Sequence, residues 1–177
     1  YLKENGKLQK NSSVATVMSN QALEDYLNEN GIELHRCSVG DKYVLEMFGK
    51  KGLNFGGEQS GHIILADFAK TGDALVAALA VMADLLTKKE PVSKLFNPFE
   101  LYPQLQKNLS VGKKVPLEEI EGYTQLVNKI EKQNIRVLIR YSGTENLLRI
   151  LLEGKDEEIL SQMMEEVTTL LQSRLNG

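Results

Sequence analysis

The chain has one cysteine (Cys37), no tryptophan, two histidines and four prolines among 177 residues. Each scarcity removes a class of protein. A lone thiol closes no internal disulfide, and so few histidines and cysteines give no cluster of zinc-ligand spacing. A reducing compartment, the cytoplasm, is the expected location, because disulfide frameworks belong to oxidising ones. There is no excess of positive charge. The formal net charge of −3 offers no general attraction to nucleic acid. Long apolar runs are also missing, for the longest, 74–86, contains Asp84 and is too short to span a bilayer. No membrane partner is therefore expected. Tyr1-Leu2-Lys3-Glu4-Asn5 contains neither an initiator methionine nor an apolar leader, so the chain is expected to continue a longer protein.

What is present suits a soluble fold. With 42% hydrophobic and 25% charged residues, the chain can bury a core as one large domain or two small ones. A polar lead, Asn11-Ser12-Ser13, opens a short buried strand over 14–17. A helix over about 21–30 follows, capped by Ser19 or Asn20, with Ala22, Leu23, Tyr26 and Leu27 at helical spacing and Gly31 past its end. A second strand takes 32–36 and holds His35 as a structural residue. Strand, helix, strand in two dozen residues marks a parallel sheet.

Asp41 is expected to cap the next helix, which buries Val44, Leu45 and Phe48 and ends at Gly49 and Gly52. Two short apolar segments, 53–55 and 63–65, then flank a polar loop. Thr71 is read as the cap of a helix over 73–88, with Asp73 in its first turn. Its Leu75, Ala78, Leu79, Met82, Leu85 and Leu86 form a wide apolar face, read as core packing.

Pro91 stops that helix. Periodicity is lost over 92–103, which reads as a packed connector, and the boundary is placed there: an α/β domain over 1–97 and a second domain over 98–177. The second domain reads as a strand (105–111), a helix (117–132, started by Pro116), strands at 135–140 and 147–153, and a final helix to about Arg174. The expected fold class is α/β with a parallel or mixed sheet, followed by a smaller α+β domain with helices on one face of an antiparallel sheet.

Two loops concentrate the chemistry. Gly56-Gly57-Glu58-Gln59-Ser60-Gly61-His62 places a carboxylate, an amide, a hydroxyl and an imidazole among three glycines. Glu58 can accept two hydroxyl hydrogens, while Gln59, Ser60 and His62 can each donate or accept. The residues alone leave two readings open, a grip on sugar hydroxyls or a solvated hairpin tip. In Arg140-Tyr141-Ser142-Gly143-Thr144-Glu145-Asn146, a guanidinium, two hydroxyls and a glycine suit a phosphate. Arg149 adds a second cation if strand alternation turns it the same way. Taken alone, this stretch also fits a plain hairpin turn. Ser142 has no activating base and is not read as a nucleophile.

These two loops, with Thr71-Gly72-Asp73, Val39-Gly40-Asp41-Lys42-Tyr43-Val44 and Leu101-Tyr102-Pro103-Gln104, resemble the α-D-phosphohexomutases over nearly the whole chain. Gln59 resembles the branch acting on glucosamine phosphates. The resemblance implies a mutase that interconverts glucosamine 6-phosphate and glucosamine 1-phosphate, using a phosphoserine and a bisphosphate intermediate. It implies four domains, with the phosphoserine in the first, a Mg²⁺-binding aspartate loop in the second, and this chain as the third and fourth.

Substrate contacts then fall on Glu58, Gln59, Ser60, His62 and Lys42, with His62 a candidate acid/base assistant. Phosphate contacts fall on Arg140, Ser142, Gly143, Thr144 and Arg149. Metal ligands are expected outside this chain, which by itself is expected to be inactive. The family usually has proline where Tyr141 and Asn146 stand, so a more mobile loop is expected. A phosphomannomutase or phosphoglucomutase, or a sugar-phosphate binding module without catalysis, are the alternatives.

Overall fold

The computed structural model describes residues 1–176 and divides into two compact units, Tyr1–Leu101 and Tyr102–Gly177. The first contains β1 (Ser12–Thr16), α1 (Gln21–Glu29), β2 (Glu33–Cys37), α2 (Asp41–Lys51), β3 (Phe55–Gly57), β4 (Ile63–Leu65), α3 (Ala74–Lys88) and the short α4 (Val92–Leu95). Its strands lie in the order β2-β1-β3-β4. β1 runs parallel to both neighbours, Val14 standing opposite His35 on one side and Gly56 on the other. β4 returns antiparallel to β3, so the sheet is mixed. Val14, Cys37, Val44, Phe48, Leu53 and Ile64 form its core.

Local chemistry sets the helix ends. Asn20 caps α1 by accepting the Ala22 amide at 3.0 Å. The cap of α2 is Gly40 and not Asp41, because that position takes φ 127°, a backbone open to glycine and costly for aspartate. α2 runs through Gly49 and stops only at Gly52, which is left-handed at φ 68°. At α3 the cap is Asp73 in place of Thr71, its carboxylate accepting the amides of Leu75 and Val76 at 2.9 and 3.0 Å. A carboxylate in that place also favours the positive end of the helix dipole.

One expectation about α3 is overturned. Its apolar stripe is not core: Leu75 and Leu86 are 69% and 79% exposed, and Leu79 and Met82 are exposed too. Periodicity shows that a helix face is apolar and says nothing of what covers it. In the connector, Phe99 packs on Tyr26 with ring centroids 5.1 Å apart.

The second unit contains β5 (Gln104–Ser110), α5 (Tyr123–Glu131), β6 (Arg136–Tyr141), β7 (Leu147–Glu153) and α6 (Glu157–Leu175). The sheet is antiparallel in the order β5-β7-β6. Leu148, Ile150 and Leu152 join Ile130, Leu160, Val167 and Leu171 in the core, so alternate residues of β7 face the helices. The helix expected over 117–132 is broken. Leu117–Glu119 is a 3₁₀ turn, and Gly122, left-handed at φ 86°, caps a shorter α5. On the opposite sheet face, the buried Glu153 meets Arg136 at 3.6 Å and accepts a hydrogen bond from Gln104.

Candidate functional site

β1, β2 and β3 are parallel, so their carboxyl ends share one edge of the sheet. The chain leaves β1 for β2 on one side and then crosses to β3 on the other. Open α/β sheets bind ligands at such a reversal, outside the strand carboxyl ends. The loop 58–62 leaves β3 there, beside the N-terminus of α2.

Glycines fix the path of this loop. A Cβ on Gly56 would stand 2.4 Å from the Val14 carbonyl oxygen, and one on Gly57 would stand 2.3 Å from that of His62. Gly61 turns the chain at φ 101°. The Glu58 side chain is only 7% exposed. One oxygen accepts the Gly40 amide at 2.9 Å, and the other lies 3.1 Å from Nδ1 of His62. The cause is the start of α2, where amides have no partner within the helix and an anion is favoured.

Ser60 Oγ lies 3.3 Å from the same histidine nitrogen. Gln59, Ser60 and His62 are exposed. Lys42, in the first turn of α2, holds its ammonium 4.7 Å from the ring centre of Tyr43. Cys37, buried at the end of β2, has its thiol pKa raised by burial and further by the charge of Glu58.

In the second unit, β6 and β7 place Arg140 directly opposite Arg149, so both cations lie on one sheet face. Arg149 bonds Glu145 at 3.1 Å, and among the described residues no carboxylate forms an ion pair with Arg140. Ser142 is 3% exposed. Its hydroxyl stands 3.5 Å from Glu145, and its carbonyl accepts the Lys114 ammonium at 2.8 Å. Gly143 and Thr144 are exposed at the tip. The Tyr141 hydroxyl donates to the Val115 carbonyl at 2.8 Å and accepts its amide at 3.3 Å.

Sequence reading missed Gly40, Lys114 and Glu145 as parts of these sites. Gly40 acts through its backbone, and Lys114 approaches from a separate loop, so neither leaves a local signal. Glu145 lies within the motif, but its bond to Arg149 joins a turn residue to a strand residue and leaves no signal in the spacing. Among the described residues, no group of three or more His, Cys, Asp or Glu side chains is placed to hold a metal ion.

A mixed α/β unit with a polar loop at its strand ends is thus followed by an α+β unit with cross-strand arginines beside a Ser-Gly-Thr tip. The chain belongs to the phosphoglucomutase/phosphomannomutase family: residues 1–102 match its alpha/beta/alpha domain III and residues 104–170 its C-terminal domain. Its relatives include the phosphoglucosamine mutase of a Nitratiruptor species, 55% identical over 99% of this chain. Another is the phosphoglucosamine mutase of Campylobacter jejuni, 53% identical over the whole chain.

This chain spans about 40% of the length of either relative. The fold resembles that of Aspergillus fumigatus N-acetylphosphoglucosamine mutase, solved with GlcNAc-6P and magnesium, at TM-score 0.74 and 16% identity over 98% of this chain and 41% of that one. An N-acetylglucosamine-phosphate mutase in a substrate complex matches at TM-score 0.69 and 19% identity, over 90% of this chain and 38% of that one.

Proposed function

We propose that this chain is the substrate-recognition half of a phosphoglucosamine mutase, which interconverts glucosamine 6-phosphate and glucosamine 1-phosphate. The observation that carries the reading is the Arg140–Arg149 pair, two arginines at opposing positions of one sheet face, next to the exposed tip at Gly143 and Thr144. Like charges directly opposite on a sheet disfavour one another, and a phosphate dianion bridging them turns that cost into attraction. Arg140 forks onto two phosphate oxygens, while Gly143 and Thr144 donate from exposed backbone amides and the Thr144 hydroxyl; the buried Ser142 hydroxyl, now turned to Glu145, would join them by rotating away from that carboxylate.

This anchor takes the phosphate that is not reacting, so it serves substrate, bisphosphate intermediate and product alike. Sugar hydroxyls fall to Glu58, Gln59, Ser60 and His62, with Lys42 as a nearby cation. Glu58 is acceptor-only, and its two bonds to Gly40 and His62 leave lone pairs for a hydroxyl. His62, hydrogen-bonded to that carboxylate, is placed to assist proton movement at a sugar oxygen. We assign the phosphoserine and Mg²⁺ to preceding domains, where the ion would neutralise charge on the transferring phosphoryl group.

The test uses the full-length protein in a coupled assay with glucosamine 6-phosphate, a bisphosphate activator and Mg²⁺. Arg140→Ala is expected to lower kcat/KM by about tenfold to a hundredfold, the loss of a charged hydrogen bond worth about 1.5–3 kcal/mol, with the melting temperature preserved. Unchanged kinetics would place the phosphate elsewhere. Mutase turnover by the 177-residue chain alone would overturn its assignment as a recognition half. A preference for mannose or glucose phosphates would move it to another branch of the family.

A further inference from the structure

The turn 142–146 is gripped at both ends by one neighbouring segment, 111–115. At its entry, the Tyr141 hydroxyl donates to the Val115 carbonyl at 2.8 Å and accepts the Val115 amide at 3.3 Å. The Lys114 ammonium donates to the Ser142 carbonyl at 2.8 Å. At its exit, the Val111 amide donates to the Asn146 carbonyl at 3.0 Å. The Ser142 amide closes the base of the turn, donating to the Leu147 carbonyl at 2.8 Å.

That segment is itself mounted on the body of the second unit. Asn176, past the end of α6, accepts the Gly112 amide at 2.9 Å and donates to the Ser110 carbonyl at 2.9 Å. Val115 and Tyr141 pack against the hydrophobic cluster. The tip has no such hold. Gly143 and Thr144 are exposed, and among the described residues their amides bond to no group of the chain. Amides that receive an anion need a fixed direction, and here that direction comes from the two ends of the turn.

We propose that the segment 111–115 is a positioning element of the phosphate site, and that Tyr141 and Lys114 are the residues through which it sets the turn before a ligand arrives. This rests on the reading of Arg140 and the tip as a phosphate anchor. Neither the phenol nor the ammonium has to touch the sugar phosphate. A turn ordered in advance binds more tightly, because association then loses less conformational entropy. Leaving one residue's backbone free until the ligand arrives raises Kd by roughly fivefold to thirtyfold.

The experiment titrates the full-length protein with glucosamine 6-phosphate by calorimetry, well below the melting temperature of every variant. Tyr141→Phe keeps the ring against the core and removes both bonds to Val115, so its Kd should rise about fivefold or more. Lys114→Met should weaken binding too, and Lys114→Arg, which keeps a donor for the Ser142 carbonyl, should restore it. In free Tyr141→Phe the amide resonances of Gly143 and Thr144 should broaden by microsecond-to-millisecond exchange and sharpen at saturation, while those of 148–152 match the parent. A merely structural clasp would lower the melting temperature and leave Kd and the tip resonances as they were, and that result overturns the proposal. Lys114→Arg binding as weakly as Lys114→Met overturns the part given to Lys114. Arg140→Ala is the control. If it binds like the parent, the phosphate anchor falls and this proposal with it. A weakened Arg140→Ala beside an unchanged Tyr141→Phe overturns the positioning role alone.

Discussion

Arg140 and Arg149 are cross-strand partners in β6 and β7, two cations at adjoining positions of one sheet face. Opposing like charges cost a few tenths to about 1 kcal/mol, and the ion pair of Arg149 with Glu145 offsets part of that cost. Saturating glucosamine 6-phosphate should raise the melting temperature of the full-length protein. At a hundred times Kd the stabilisation is about 2.7 kcal/mol. Arg140→Ala should abolish most of that rise without lowering the ligand-free value. Arg140→Lys should fall between the two, because it keeps the charge and loses the fork. A ligand-dependent rise that survives Arg140→Ala would separate the arginine pair from phosphate binding.

Glu58→Ala should affect both folding and recognition. The carboxylate accepts the Gly40 amide and meets His62, so its removal leaves a part-buried donor without a partner, at about 1–3 kcal/mol. The expected result is a lower melting temperature together with a drop in kcat/KM. Glu58→Gln should restore much of the stability, since its carbonyl can still accept from Gly40, and less of the activity. Full activity in both variants would return the loop to the role of a solvated turn.

Two glycines should respond oppositely to alanine. At Gly57 the new methyl meets the His62 carbonyl at 2.3 Å, a backbone atom that cannot step aside, and the cost should exceed about 1 kcal/mol. At Gly143 nothing lies within 4 Å, so Gly143→Ala should melt like the parent. If phosphate rests against the backbone at that tip, the same methyl should weaken sugar-phosphate binding. Calorimetric titration of Gly143→Ala checks this, and an unchanged Kd would argue that the phosphate stays clear of residue 143.

Cys37 should be a slow thiol. Burial first, and the Glu58 charge second, raise its pKa, so the folded chain holds the thiol proton more tightly than the unfolded one. The sign follows: this stabilisation is fully present below the unfolded thiol value, about 8.5, and is lost as pH rises through the higher folded value. Native protein should react slowly with a disulfide reagent at neutral pH, and Glu58→Gln should speed the reaction by removing the nearby charge. Equal rates in both proteins would remove Glu58 as a cause.

Much of the architecture was legible because it depends on local signals. Alternation in Leu147–Glu153 and turn residues around Gly31 and Gly154 mark the elements without reference to distant contacts. Legibility failed where partners decide. Gly122 splits an apolar helical pattern through one left-handed residue. The stripe from Leu75 to Leu86 reads as core because periodicity cannot say whether a partner is present. Glu58 is buried by an amide from α2, eighteen positions away in sequence, and Lys114 reaches Ser142 across twenty-eight. Side-chain types in the two loops were visible, while the bonds that orient them belong to the folded chain.

The loop after β3 sorts its residues by what constrains them. Gly56 and Gly57 are pressed against neighbouring backbone, and Glu58 is held from two sides, so mutation there disturbs folding as well as ligand. Gln59 and Ser60 project into solvent. Substitutions at these two positions can accumulate with little damage to the scaffold, and a lineage could retune its sugar preference there one change at a time. On the proposed reading of this loop, a change of sugar preference would run through these two exposed positions, mounted on a backbone that the close packing of Gly56 and Gly57 and the bonds of Glu58 hold in place.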